Sequence, residues 1–355
     1  MIHPLARKHL AKVQAYSSAQ SEFSSRDTVL LNANENALGS MFCRYPHSYP
    51  VHLQKKYVQF LQSKLKKEDD LTNTHLDPEN IMFFNGSDEA IDLIIRAFCE
   101  PKEDSILVTS PSFTMYENWA KANNVNIIDV PLQGENLNIL DTVSILSQRA
   151  KVIFLCSPNN PIGSSLSFEQ IEEIVEKTEG KSLVVVDEAY IEFSRKKSAL
   201  SLLEKYPHVI ILRTFSKAWG LAGVRAGLMI ADTSILDVIT RIKAPYNFTA
   251  PAQKAVEFAL DNFQDMRMKV GLINVEKKRV QEFLESLSSV KKIYESDANF
   301  LLVEWEDAQK IYETLLASGI VVRDRSMQVA NTLRITIGTR EENDMLMKVL
   351  EKIKY

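Results

Sequence analysis

Lys217 sits in Leu212-Arg-Thr-Phe-Ser-Lys-Ala-Trp-Gly-Leu-Ala-Gly-Val-Arg-Ala-Gly227, just after the β-branched run Val209-Ile-Ile-Leu212. That order places the lysine past the carboxyl end of a strand, among small residues that leave room for a ligand. A lysine amine there can form a Schiff base with a carbonyl compound. Arg225, eight residues on, can neutralise a phosphate.

Other residues with chemical potential also follow short apolar runs. After Phe84 comes Asn85-Gly-Ser-Asp-Glu89, where Ser87 and Asp88 open a helix whose free amides suit an anion; a simple N-cap is the plainer reading. After Thr109 comes Phe113, which could stack on a planar ligand or pack in the core. After Leu155 comes Cys156-Ser-Pro-Asn-Asn-Pro161, a rigid turn able to present the amide of Asn160. Asp187 ends Val184-Val-Val186, where an unpaired carboxylate is expensive. It needs a cation: either a structural arginine or a protonated ring nitrogen. Tyr190, three residues on, is within reach of the same ligand. Together these residues form the set of partners that pyridoxal 5'-phosphate requires.

Elements must bring these residues to one edge. Ile81–Phe84, Ser105–Thr109, Val125–Val130, Val152–Leu155, Leu183–Val186, Val209–Leu212 and Ala226–Ile230 read as strands. Between them, Ile91, Ile94, Ile95 and Phe98, then Ile171, Ile174 and Val175, recur at helical spacing. Continuous apolar strands separated by helices predict an α/β fold with a mostly parallel sheet covered on both faces. In such sheets, ligands bind beyond the carboxyl ends of the strands. After Pro245 a long helical region, 251 to about 286, leads to a smaller α+β unit. Its expected strands are 298–303, 320–322 and 333–337, and its helices 308–317 and 341–353. The expected divisions are an N-terminal arm or part of the small domain (1–40), a large cofactor-binding domain (41–245) and a small domain (246–355). The arm, lacking the sheet pattern, is expected to pack on the small domain.

Composition excludes several alternatives. A chain of 355 residues with net charge −4 carries no nucleic-acid footprint. Cys43, Cys99 and Cys156 lack metal-ligand spacing and suit a reducing compartment, and the histidines lack it too, so no metal site is expected. No apolar stretch reaches the roughly 18 residues of a membrane span, and the N-terminus lacks a signal-peptide pattern. A cytoplasmic protein is expected.

These motifs resemble the fold-type I aminotransferases, and within them the histidinol-phosphate aminotransferase family. The resemblance is carried by Leu31-Asn-Ala-Asn-Glu-Asn36, Arg44-Tyr-Pro46, Gly86-Ser-Asp-Glu89, Ile94–Pro101, Cys156–Pro161, Val186–Phe193, Leu212–Lys217, Ala244-Pro-Tyr246 and Leu333–Arg340. It implies that Lys217 holds the cofactor aldehyde and shuttles the substrate proton. It implies further that Asp187 keeps the pyridine nitrogen protonated and that Asn160 and Tyr190 bind the phenolic oxygen. Ser87, Asp88, Ser216 and Arg225 would hold the phosphate. Tyr45 would reach the phosphate from a second subunit, making a homodimer. For the substrate, Arg334 resembles the carboxylate-gripping arginine and Arg323 a second basic group for a substrate phosphate, with Asn34 and Tyr16 also at the substrate.

The implied reaction is amino transfer between L-histidinol phosphate and 2-oxoglutarate, giving imidazole acetol phosphate and L-glutamate, in histidine biosynthesis. An aromatic aminotransferase, a threonine-phosphate decarboxylase and a non-catalytic sensor on the same scaffold are the alternatives. Three departures stand out. Phe113 occupies a position where relatives often carry tyrosine, Ile162 replaces a threonine, and Asn36-Ala37 replaces an Asn-Pro or Tyr-Pro pair.

Overall fold

The computed structural model describes residues 2–15, 29, 31–39, 41–68 (side chains to 63) and 76–353. Tyr16 lies outside them. In chain order the helices are α1 (Val51–Glu68), α2 (Ser87–Phe98), α3 (Met115–Ala122), α4 (Thr142–Ser147), α5 (Phe168–Thr178), α6 (Thr233–Thr240), α7 (Ala250–Asp261), α8 (Phe263–Glu285), α9 (Ala308–Ala317) and α10 (Arg340–Leu350). The strands are β1 (Ile81–Phe84), β2 (Ser105–Val108), β3 (Asn126–Asp129), β4 (Val152–Cys156), β5 (Leu183–Asp187), β6 (Val209–Thr214), β7 (Gly227–Ala231), β8 (Val290–Ile293), β9 (Phe300–Trp305), β10 (Arg323–Asp324) and β11 (Thr332–Thr336).

β1 to β7 form one sheet in the order β1-β7-β6-β5-β4-β2-β3. The pairs β2–β3, β2–β4, β4–β5 and β5–β6 are parallel, whereas β7 runs antiparallel to both its neighbours, β1 and β6. Because successive strand residues point to opposite faces, each strand feeds two cores. Ile153, Leu155, Val184, Val186 and Ile211 enter one cluster, with α1, α5 and α7. Phe154, Cys156, Val185, Ile210 and Leu212 enter the other, with α2, α3 and α6. Burial on both faces explains why these strands read as unbroken apolar runs.

The N-terminal segment differs from expectation. Leu5, Ala6 and Leu10 pack in the second cluster of the large sheet, Arg7 N–H donates to Ala97 O at 3.0 Å, and Arg241 donates to Val13 O at 2.6 Å. The apolar side chains of this short stretch complete the cover over α2 and α6, so the described part of the arm belongs with the large sheet rather than the small one.

β8 to β11 make a second, antiparallel sheet in the order β10-β11-β9-β8. Leu301, Val303, Leu333 and Ile335 face a separate core with α9, α10 and the end of α8. α8 also sends Met266 and Val270 into the large core, so one helix ties the two together. The helical region 251–286 is two helices, broken at Asn262. β8 escaped the sequence reading because its Val-Lys-Lys-Ile is a half-buried edge strand, where lysines are common. Pairing near 320–322 begins only at Arg323, because Ile320 and Val322 pack against the small core as coil.

Candidate active site

Because β1, β2, β4, β5 and β6 share one direction, the loops after them open on one edge of the sheet. The antiparallel β7 starts at that same edge, which is how Arg225, placed before a strand, arrives beside residues placed after strands. One cleft of about 530 Å³, open mouth included, is lined by Ser87, Asp88, Phe113, Asn160, Asp187, Tyr190, Ser216, Lys217 and Arg225. Cys156, Ala189 and Thr214 complete its wall. Nine of the ten residues expected at the cofactor are therefore brought together, all but Tyr45.

The lysine loop is anchored by Phe215, buried against Trp219 at 5.0 Å and Tyr57 at 6.0 Å between ring centroids. Phe215 N–H bonds Ala226 O at 3.0 Å and Ser216 N–H bonds Thr214 Oγ1 at 3.1 Å, so the loop closes on itself. Arg225 adopts φ 57° and ψ 58°, a left-handed conformation unfavourable for a side-chain-bearing residue. That turn sends its guanidinium back to Ser216 Oγ (3.3 Å), Ala222 O (3.2 Å) and Asp88 Oδ2 (3.3 Å). Two glycines make this approach possible. A Cβ on Gly86, at φ +80°, would lie 2.6 Å from Arg225 Nη2, and one on Gly227 would lie 2.3 Å from Ser87 N. Arginine, hydroxyl and the start of a 12-residue helix thus converge on one point, a seat for an anionic phosphate.

Asp187 ends β5 with 3% exposure. The Tyr116 hydroxyl donates to its Oδ2 at 2.8 Å and Ala189 N–H to its Oδ1 at 3.1 Å. Burial nevertheless dominates and pushes its carboxyl up to about 6. The structural ion pair that Asp187 might have made belongs to its neighbour. Glu188 takes Arg213 at 2.7 Å together with Ser198 Oγ at 2.8 Å, all buried. That leaves Asp187 facing the cleft with two neutral donors and no cation among the described residues. A protonated pyridine nitrogen would supply the missing charge.

Lys217 is shifted the opposite way. Burial and then Arg334 hold its amine below the ordinary lysine range, which favours the nucleophilic neutral form. Its Nζ stands 5.6 Å from the centre of the Tyr190 ring. Opposed shifts in one cleft are the mark of a chemical site. Tyr116 was not anticipated from sequence. Its signal was only a tyrosine on an amphipathic helix; its value depends on the buried stack with Phe154 (4.7 Å) that aims the hydroxyl at Asp187.

The far wall comes from the small sheet. Arg334 Nη1 donates to Asn160 Oδ1 at 2.5 Å, and its guanidinium lies 5.2 Å over the Phe300 ring. Asn160 can project this way because its neighbour, the fully buried Asn159, fastens the turn to Ile162 N–H and Pro111 O. Arg323 is paired across the ladder with Arg334 and is exposed. Tyr45 and Asn34 lie away from this cleft. Tyr45 stacks on Tyr246 at 4.5 Å in a separate groove with Glu35 and Arg44, and Asn34 is exposed at φ 55°. No cluster of metal-ligating side chains occurs among the described residues.

The donor set fits pyridoxal 5'-phosphate. A phosphate seat, a carboxylate lacking a cation, a lysine of lowered basicity and the ring of Phe113 surround one space of suitable size. Comparison with known proteins agrees. Residues 15–350 match the family described as aminotransferase class I and II. The chain is similar to the histidinol-phosphate aminotransferase of Parabacteroides distasonis, 42% identical over 99% of this chain and 98% of that one. It is likewise similar to that of Christiangramia forsetii, 40% identical over 99% and 98%. Among solved structures, the histidinol-phosphate aminotransferase of Clostridium acetobutylicum superposes with TM-score 0.75 at 25% identity, covering 87% of this chain and 90% of that one. The Sinorhizobium meliloti histidinol-phosphate aminotransferase in complex with pyridoxal-5'-phosphate shares the fold, with TM-score 0.76 at 21% identity over 88% and 84% of the chains. The large sheet is thus that of the pyridoxal-phosphate-dependent aminotransferases, and the chain belongs to the class I and II aminotransferase family.

Proposed function

We propose that the chain transfers an amino group between L-histidinol phosphate and 2-oxoglutarate, in histidine biosynthesis, using pyridoxal 5'-phosphate. The observation that carries this reading is the placement of Lys217 and the buried Asp187 in one cleft, under a strand that brings Arg334 to Asn160. The similarity to curated histidinol-phosphate aminotransferases at about 40% identity supports the choice of substrate.

The cofactor, when bound, supplies the electron sink that stabilises charge on the substrate α-carbon. This chain's residues do the rest. Lys217 would hold the cofactor aldehyde and, as a free amine, would accept and return the proton of the substrate α-carbon. Asp187 would hold the pyridine nitrogen protonated, and Tyr116 and Ala189 keep that carboxylate in place. Asn160 and Tyr190 would bind the phenolic oxygen, and Ser87, Asp88, Ser216 and Arg225 would hold the phosphate. Phe113 would stack on the ring. Arg334 grips the donor's carboxylate, and Arg323 adds charge for a substrate phosphate. Two unlike donors enter in turn, so this wall must accept both.

We also read the chain as a homodimer in which Tyr45 serves the partner's site. Tyr45 is 48% exposed and lies outside the chain's own cleft, on a surface that also exposes Leu38, Met41 and Phe42. Asn34 lies on the same segment and would act at the substrate there. No helix among the described residues is long and apolar enough to cross a membrane, and we place the protein in the cytoplasm with a large, smaller-domain division near 245.

Single-turnover spectra of the holoenzyme test the reading. Histidinol phosphate should convert the lysine-bound cofactor to its amine form, and 2-oxoglutarate should reverse it. Conversion by phenylalanine alone would show an aromatic aminotransferase, and carbon dioxide release without an oxo-acid a decarboxylase. Lys217→Ala should lose the visible band of the lysine-bound cofactor.

A further inference from the structure

Resting on that reading, we infer that Arg325 is a specificity-determining residue: a third guanidinium beside Arg323 and Arg334 that favours a phosphoryl dianion over a carboxylate. Nothing in its sequence position singles it out.

The argument begins with strand parity. β11 pairs Arg334 with Leu302 and with Arg323, while Leu333 and Ile335 face the small core. The opposite face of this sheet, toward the large domain, therefore carries Phe300, Leu302, Arg334 and Arg323. Arg325 is two residues beyond Arg323, and its N–H donates to Thr332 O at 2.9 Å, so it continues the ladder on that same face. The turn after it is fastened at both ends. Gln328 and Val329 N–H bond the Arg325 carbonyl at 2.8 and 2.9 Å, and Gln328 Nε2 reaches across to Ser112 O at 2.8 Å. Ser112 precedes Phe113 in the cofactor cleft, so Arg325 is pinned beside that cleft by backbone contacts rather than left on a loose loop.

Its side chain forms no ion pair. Nε is buried without a hydrogen-bond partner, and no carboxylate among the described residues forms an ion pair with Arg323, Arg325 or Arg334. Asp324, its neighbour, is committed to Ser326 N–H at 2.8 Å. Burial, then Arg334 and Arg323, pushes Arg325 down to about 10, while Tyr190 from the cleft side and then the neighbouring Asp324 act against this. Three guanidiniums kept together, with only the exposed Asp324 beside them among the described residues and no ion pair between them and it, make an unfavourable arrangement unless an anion joins them. Arg334 is already directed by Asn160 and suffices for a carboxylate. The second negative charge of a phosphate monoester is what the additional guanidinium matches.

The test compares Arg325→Gln and Arg325→Lys with wild-type holoenzyme in single-turnover half-reactions with histidinol phosphate and with glutamate. Inorganic phosphate serves as an inhibitor of the glutamate half-reaction. We expect Arg325→Gln to lose about 10- to 100-fold in kcat/KM for histidinol phosphate, mostly through KM, and less than about threefold for glutamate. Inhibition by phosphate should weaken in parallel, with Arg325→Lys intermediate. Equal losses for both donors, or unchanged phosphate inhibition, would overturn the inference. If wild type ignores histidinol phosphate yet phosphate inhibition still weakens in Arg325→Gln, the substrate assignment fails while the dianion site stands.

Discussion

The Tyr116 hydroxyl and the Asp187 carboxylate meet at 2.8 Å, both buried, at the carboxyl end of the central strand β5. Through that bond a helix on one face of the sheet stabilises the ionised form of the acid that a cofactor ring nitrogen would require. Tyr116 touches neither substrate nor reacting atoms in this arrangement; it positions.

Tyr116→Phe should therefore weaken the acid rather than remove it. The loss of a charge-assisted hydrogen bond in a buried site costs about 1–3 kcal/mol, so kcat should fall about 10- to 100-fold, with cofactor lost faster on dialysis. An effect on stability alone, with cofactor retention and kcat unchanged, would show the bond to be structural.

Asp187→Asn should stabilise the cofactor-free protein while disabling the enzyme. The carboxyl is raised from 3.8 to about 6, chiefly by burial. The folded chain thus binds this proton more tightly than the unfolded chain does. Stability is unpenalised below the unfolded value and is lost as pH rises through the folded one. Two units correspond to about 3 kcal/mol at pH 8, shrinking toward zero near pH 4. Urea unfolding of the cofactor-free variant across that range should show the gain growing with pH. A gain that is flat with pH, or a loss at pH 8, would contradict the stated cause.

Gly86→Ala should strike the phosphate seat. The backbone is at φ +80° and the new methyl would meet Arg225 Nη2 at 2.6 Å. Left-handed strain should cost the fold about 1–3 kcal/mol, and displacement of the Arg225 guanidinium from the seat should separately weaken cofactor affinity about tenfold. Equilibrium dialysis against pyridoxal 5'-phosphate checks this; unchanged affinity would mean that Arg225 does not need this approach.

The large sheet was legible in the sequence because burial on both faces writes each strand as an apolar run. β5 reads Leu-Val-Val-Val before Asp187, and β6 reads Val-Ile-Ile-Leu before the lysine loop. The helices α2 and α5 were legible from their apolar faces. Elements with a wet side were not: β8 carries two lysines, and α4 buries only Ile145 of its six residues.

Chain order alone thus determined which residues stand at strand ends, and with them the candidates for a Schiff-base lysine, an acid and a phosphate seat. Several decisions needed the tertiary structure, because they depend on direction and partners rather than on spacing. The antiparallel course of β7 brings Arg225 to the edge where Lys217 lies. Of two adjacent carboxylates, Glu188 is neutralised by Arg213 and Asp187 is left for the ligand. Arg325 joins Arg323 and Arg334 because ladder parity places all three on one face, a relation between strands that a single strand's sequence does not contain.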